Sequence, residues 1–169
     1  MRYIDLDGVI LNTEGLLFNE ILNTDNKNTL SEEFIMQLVI NINWAYILKN
    51  AKVINDSIDI LRKLDKDDST ILTRVHSNQE AETKINYFKS INIDQKVITV
   101  PYPLKKNDVV SAKGNILIDD CLKNLRYWSN DGGYAMFFDK NENNIDSWDE
   151  YNINGYQRVL RIDESIKRK

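Results

Sequence analysis

A single cysteine, Cys121, a single histidine, His76, and two prolines leave this chain without the materials of several common designs. One thiol cannot close an internal disulfide, and one thiol with one imidazole is too small a set of soft donors for a zinc site of the usual kind. A reducing cytoplasm is therefore the expected compartment. Missing too is any apolar run of membrane-spanning length, and the first residues read as a strand rather than a signal-like leader, so no membrane partner is expected. Basic charge is in deficit: Lys and Arg number 22 against 26 Asp and Glu, for a formal net charge of -4. That balance argues against stable nucleic-acid binding, which calls for a basic surface. The one basic cluster, Lys167-Arg168-Lys169, reads as a solvated tail. No repeat of solenoid length and no low-complexity segment is present, although asparagine is abundant around Asn23 to Asn28 and Asn141 to Asn144. What remains, 169 residues of which 42% are apolar and 28% charged, fits one domain with a sizeable core and one small insertion.

Strand-like and helix-like segments alternate along the chain. Strands are expected near 2–6, 69–73, 96–100, 115–119 and 134–138, with helical patterns between most of them, which predicts an α/β fold: a Rossmann-like parallel sheet of about five strands flanked by helices. Ser77 with Glu80 reads as a capping box opening a helix whose Ala81, Ile85 and Phe88 share a face. Leu122, Leu125 and Trp128 share a face of another helix, which Gly132-Gly133 stops. Between 13 and 50 the alternation breaks, because two helical patterns follow the first strand with no strand between them. Thr29 to Glu32 is a second capping box, after which Phe34, Leu38, Ile42 and Ala45/Tyr46 recur at helical spacing. The segment 13–50 is read as a small helical cap on a core made of 1–12 and 51–169, leaving the sheet where it can return over the carboxyl edge. A helical hairpin packed elsewhere is the plainer alternative.

Two acidic pairs stand where strands should end. Asp5-Leu6-Asp7-Gly8 follows Tyr3-Ile4, and Asp119-Asp120 follows Ile116-Leu117-Ile118. Carboxylates gathered at the carboxyl ends of parallel strands can hold a hard cation such as Mg2+ and bring one oxygen to a phosphorus atom. Asp5 is the candidate nucleophile, able to form an acyl phosphate and divide one hydrolysis into two displacements. Asp7 is the candidate general acid and base, and Gly8 allows the turn that keeps both in one crevice. The metal would be held by Asp5, by Asp7 through its backbone carbonyl, and by Asp119 and Asp120, with the choice between the last two open. Thr73, ahead of a helix start, and its neighbour Arg74 are candidate phosphate contacts. Lys106 is the preferred charge-neutralising lysine, with Lys105 next and Lys113 third.

The ordered set Asp5-x-Asp7-Gly8, Thr73, Lys105/Lys106 and Asp119-Asp120 resembles the four motifs of the haloacid dehalogenase-like (HAD) phosphohydrolase superfamily, over most of the chain. The resemblance implies a Rossmann-like sheet with a cap, Mg2+ as cofactor, Asp5 as nucleophile and Asp7 as the acid/base that marks phosphatases. It also implies Thr73 and Lys106 as phosphate contacts and Asp119 and Asp120 as metal-side carboxylates. Within the superfamily the chain looks most like the 5'-nucleotidase and deoxyribonucleotidase branch, through Asp5 to Ile10, Val109-Val110-Ser111-Ala112 and Asn115 to Asp120. It departs from that branch at Thr13, where the animal deoxynucleotidases carry a base-stacking aromatic before the position of Glu14. Phe18, Phe34, Trp44 and Tyr46 are other candidates to stack on a base, or to form the cap's own core.

The resulting expectation is a Mg-dependent phosphomonoesterase acting through an aspartyl-phosphate on a small phosphorylated metabolite, with a nucleoside 5'-monophosphate as leading candidate. Each residue also has a plainer role. Asp5 and Asp7 fit a solvated turn, Asp119-Asp120 a helix cap, Thr73 a strand, any one lysine a surface charge, and His76 a packed loop side chain. Cys121 reads as a small buried residue. A phosphotransferase on the same scaffold and a non-catalytic phosphate- or nucleotide-binding module are the alternatives. A receiver domain is disfavoured, since its acidic pair precedes a central phospho-acceptor, the reverse of the order here.

Overall fold

A computed structural model of the chain describes residues 1–22, 32–140, 152–153 and 156–164. The expected capping box at Thr29 to Glu32, the asparagine-rich stretches, the side chain of Phe34 and the basic tail lie outside the described residues, the first of these in all but its last residue.

The five expected strands form: β1 (Arg2–Ile4), β4 (Ser69–Val75), β5 (Lys96–Pro101), β6 (Ile116–Asp119) and β7 (Tyr134–Phe138). Two more extend the sheet, β8 (Asn152–Ile153) and β9 (Tyr156–Val159), giving the order β5-β4-β1-β6-β7-β9-β8. All neighbours run parallel except β8 and β9, so six strands make a parallel sheet with one antiparallel strand at its edge. The extra strands escaped the periodicity reading because β9 carries Arg158, a charge in an inward position. Its guanidinium is buried and paired with Asp139 at 3.0 Å.

Helices α4 (Ser57–Lys63), α5 (Asn78–Ser90), α6 (Lys106–Val109) and α7 (Leu122–Asn130) connect the strands. One apolar cluster gathers Ile4, Leu6, Ile10, Leu61, Ile71, Phe88, Ile118 and Phe138; the other holds Leu72, Val100, Leu117, Leu125 and Trp128. Alternate residues of β1, β4 and β6 thus feed opposite faces of the sheet, as strands covered on both sides require. Each large aliphatic side chain so buried contributes about 1.5–3 kcal/mol. Leu122, expected to share the buried face of α7, is 36% exposed at the helix start. Gly133 follows that helix because a Cβ there would stand 2.3 Å from Trp128 Nε1 and 2.8 Å from the Ala112 carbonyl oxygen.

The segment after β1 contains three helices: α1 (Glu14–Leu22), α2 (Glu32–Asn41) and α3 (Trp44–Asn50). The helical periodicity through Phe34, Leu38, Ile42 and Ala45/Tyr46 does not form one helix. Asn43 interrupts it as an N-cap whose side chain accepts from the Tyr46 N–H at 3.1 Å, so α3 turns Trp44, Ile47 and Leu48 inward and leaves Ala45 and Tyr46 exposed. Leu48 joins the main apolar cluster. Short strands β2 (Leu11–Asn12) and β3 (Lys52–Val53) pair antiparallel, Leu11 with Val53 and Asn12 with Lys52, and so close the base of this excursion. Among the described residues no helix is long and apolar enough to cross a membrane.

Trp128 is fully buried, meets Tyr3 edge-on at 5.3 Å and donates from Nε1 to the Asn115 carbonyl at 3.1 Å. Trp128→Ala is expected to lower unfolding free energy by about 3–5 kcal/mol in urea titration. A loss below about 1 kcal/mol would contradict this packing.

Candidate active site at the carboxyl edge of the sheet

From β1 the chain builds β4 and β5 on one side and then crosses to β6 and β7 on the other, so the strand order reverses beside β1. At such a switch point the connections diverge and leave a crevice past the carboxyl ends of the strands. Register decides which side chains enter it. Ile4 pairs with Ile71 of β4 and Ile118 of β6, and the Asp5 N–H donates to the Ile118 carbonyl at 3.0 Å. Asp5 and Asp119 therefore stand level, one residue beyond the last matched pair.

Lys106 joins them. Its ammonium lies 2.8 Å from Asp5 Oδ1 and 2.6 Å from Asp119 Oδ2, and the side chain is 2% exposed. Burial alone would lower its pKa, but Asp119 and Asp5 hold it above the ordinary lysine value, so it stays charged. Asp119 is anchored further: Oδ1 accepts from the Cys121 N–H at 2.8 Å and Oδ2 from Asn124 Nδ2 at 3.0 Å. It serves the start of α7 and the acidic cluster together. Oxygens of Asp5, Asp119 and Asp120 all lie within 4.8 Å of one another.

Gly8 makes that approach possible. Its φ is +80°, and a Cβ there would fall 2.0 Å from Asp120 Oδ2. A side chain would meet both backbone strain and a clash with the acidic cluster.

Asp7 points elsewhere. Its Oδ1 accepts from the Thr13 hydroxyl at 2.8 Å, and its Oδ2 from Lys84 Nζ at 2.7 Å and the Thr73 hydroxyl at 3.2 Å. Burial would raise its pKa, but Lys84 and these hydrogen bonds hold it below the ordinary carboxylate value. The carboxylate of Asp7 is thus not in the cluster of Asp5, Asp119 and Asp120, because a buried ammonium and two hydroxyls claim both of its oxygens.

The other expected residues divide. Thr73 is fully buried beside Asp7. Arg74 lies at the rim, its Nη2 3.4 Å from the Leu104 carbonyl and 3.5 Å from Asn124 Oδ1, while its buried Nε has no hydrogen-bond partner. Lys105 is not brought in: it occupies the N-cap of α6, exposed, with its ammonium 4.3 Å over the Tyr127 ring, because the helix start turns consecutive lysines in different directions. Lys113 is also exposed. Cys121 is exposed rather than buried, since it caps α7 just after β6 leaves the core. His76 stacks on Tyr102 with centroids 5.5 Å apart.

Three residues were missed. Lys84 on α5 is fully buried against Asp7, Glu80 is buried beside it, and Thr13, first noticed for lacking an aromatic ring, bonds Asp7. The available signal was the spacing: Glu80, Lys84 and Phe88 are four apart, which places two charges in register with a core residue.

Negative charge is in excess here. Asp5, Asp7, Glu80, Asp119 and Asp120 share the ammonium groups of Lys84 and Lys106. Asp5 is pushed up from 3.8 to about 7 by burial, which Lys106 opposes and Asp119 and Asp7 reinforce. Asp120 is pushed up to about 8 by burial and by Asp5, Asp119 and Glu14, against Lys140, which is paired with Glu14. Carboxylates that hold protons so tightly, with hard oxygen donors only, fit a divalent cation such as magnesium in place of those protons. Since both groups bind protons more tightly folded than unfolded, the metal-free fold loses stability as pH rises from about 4 towards 8. The gain in Tm on adding Mg2+ is therefore expected to be larger near pH 8.5 than near pH 5.5, by differential scanning fluorimetry. A gain that is absent, or equal at the two pH values, would contradict the assignment.

No protein-family profile and no curated protein matches the chain. Solved structures do. A HAD hydrolase of family IA, variant 3, from Entamoeba histolytica aligns with a TM-score of 0.58 and 14% identity, covering 94% of this chain and 91% of that one. A haloacid dehalogenase-like hydrolase from Streptococcus pneumoniae aligns at 0.58 with 15% identity, over 82% and 83%. A HAD-superfamily hydrolase of subfamily IA, variant 1, from Geobacter sulfurreducens aligns at 0.53 with 13% identity, over 81% and 88%. Identities this low speak for fold: the chain has the Rossmann-like α/β fold of the haloacid dehalogenase-like hydrolases.

Proposed function

We propose that the chain is a magnesium-dependent phosphomonoester hydrolase that works through an aspartyl-phosphate on Asp5. One observation carries the reading: Asp5 stands at the end of β1 with an ammonium at 2.8 Å and two further carboxylates within 4.8 Å, beside a second aspartate held apart from them. In the first displacement an Asp5 oxygen attacks phosphorus, the bond from phosphorus to the ester oxygen breaks, and Asp7, protonated beforehand from solvent at its 26% exposed side chain, gives that oxygen the proton. In the second, water attacks phosphorus, Asp7 takes its proton, and the bond from phosphorus to Asp5 breaks to release phosphate. Lys106 offsets the charge of Asp5 and Asp119 throughout. Arg74 is assigned to a phosphoryl oxygen through the guanidinium whose Nε lacks a protein partner, whereas Thr73, fully buried with its hydroxyl on Asp7, is assigned to holding that carboxylate rather than to phosphate. Asp5, Asp119 and Asp120 would hold magnesium, which when bound supplies the positive charge that lets a carboxylate approach a phosphate dianion.

The segment 13–50 is assigned as a small cap, in support of which β2 and β3 bring its two ends together just after Asp7. A small phosphorylated metabolite is the substrate class assigned to the crevice. A nucleoside 5'-monophosphate is the finer reading, resting on the motif resemblance and on Phe18 and Tyr46, which stay 61% and 49% exposed on the segment. Trp44 is 5% exposed and committed to Lys84.

Asp5→Asn is expected to lower phosphate release from p-nitrophenyl phosphate by about 10³-fold or more with unchanged circular dichroism, and chelation of magnesium to do the same. Activity retained in either case refutes the mechanism. Selective turnover of 5'-nucleotides, in a panel that also holds 3'-nucleotides, sugar phosphates and a phosphopeptide, would support the finer reading; preference for another class would replace it.

A further inference from the structure

Among the described residues, Lys84 is the most enclosed charge that the chemistry above leaves without a role. It is fully buried on the inner face of α5, between Glu80 and Phe88. Its Nζ lies 2.7 Å from Asp7 Oδ2, 2.7 Å from Glu80 Oε1, 3.0 Å from the Arg74 carbonyl and 3.2 Å from Thr73 Oγ1, and 4.4 Å over the Trp44 ring. An ammonium has only three protons to donate, so these contacts fill every direction open to it. Glu80 is itself tied down, since its Oε2 accepts from the His76 N–H at 2.8 Å. The anchor is therefore rigid, and Asp7 is what it holds.

Glu80 alone would satisfy the charge of Lys84, so pairing with Asp7 is not needed to bury the lysine. What the second contact does is fix a carboxylate at the crevice. The Asp7 side chain is 26% exposed, and with Thr13 on one oxygen and Lys84 and Thr73 on the other it has one orientation. Trp44 of α3 closes the far side of the ammonium, so the inserted helical segment and the β4–α5 connection grip the same group.

We propose that Lys84 is the positioning residue for Asp7: it aims the Asp7 carboxylate at the leaving oxygen, and the inserted segment holds Lys84 in place through Trp44. This rests on the phosphatase reading above. A carboxyl group displaced by an ångström or so loses about 10²-fold in proton transfer, and a general acid matters only where the leaving group needs a proton. p-Nitrophenolate leaves unassisted; an alkoxide does not.

The test compares kcat/KM for p-nitrophenyl phosphate and for an alkyl phosphate in the presence of magnesium. The proteins are wild type, Lys84→Met, the double variant Glu80→Gln/Lys84→Met, which also neutralises the buried Glu80 carboxylate that loss of Lys84 would leave unpaired, and Asp7→Asn. Circular dichroism and Tm report folding. The expected result is a loss of about 10–100-fold on the alkyl ester and under about 3-fold on the aryl ester for both Lys84 variants, with the same leaving-group pattern in Asp7→Asn. Trp44→Leu is expected to show the pattern more weakly. Equal losses on the two esters in the folded double variant would overturn the positioning role while leaving the phosphatase intact. Wild-type protein inert to every phosphate ester would overturn the function and this role with it.

Discussion

The ammonium of Lys106 between Asp5 and Asp119 is the contact on which the rest depends. Two buried carboxylates standing level at the ends of adjacent parallel strands repel, and Asp120 adds to that repulsion. With a single buried cation among them the group folds, yet two of its members keep a strong affinity for protons. Such an environment is one that a divalent ion, adding to the charge of the lysine, would complete. A surface cluster of acids would have no such need, because water would screen it.

Topology puts the cluster where it is. Reversal of strand order beside β1 opens the crevice, and the matched register of Ile4 with Ile118 sets the two aspartates side by side. Gly8 then turns the chain so tightly that Asp120 fits against its backbone, and the same turn carries Asp7 across to α5. Each aspartate of the pair thus has its own lysine. Lys106 comes from the helix before β6 and Lys84 from the helix after β4, and the two ammonium groups divide the carboxylates into the cluster of Asp5, Asp119 and Asp120 and the separate pair of Asp7 and Glu80.

Much of this was legible in the chain. Asp5, Asp7, Asp119 and Asp120 were singled out because each pair follows an apolar run, a local pattern, Thr73 because it ends such a run ahead of a helix start, and Lys106 because it follows the loop after a strand. The five central strands were found from such apolar runs. Lys84 was not, because helical periodicity counts a lysine as solvated, and only tertiary packing against Asp7 and Glu80 reverses that. The break at Asn43 was hidden by apolar residues that kept helical spacing across it, and β9 by a buried Arg158 whose partner, Asp139, sits in another part of the chain. Cys121 was misplaced since small residues near strands are commonly buried, whereas this one opens α7 at the surface. For Lys84 and Arg158 the missing information was a contact with a residue distant in sequence, whereas Asn43 and Cys121 turned on where a helix begins.

The most direct test is a crystal structure grown with magnesium and beryllium fluoride, a mimic of a phosphoryl group on a carboxylate. The account predicts trifluoroberyllate on an Asp5 oxygen beside Lys106, with the cation among Asp5, Asp119 and Asp120. Fluoride complexes seated elsewhere, or a cation bound away from those three carboxylates, would contradict it.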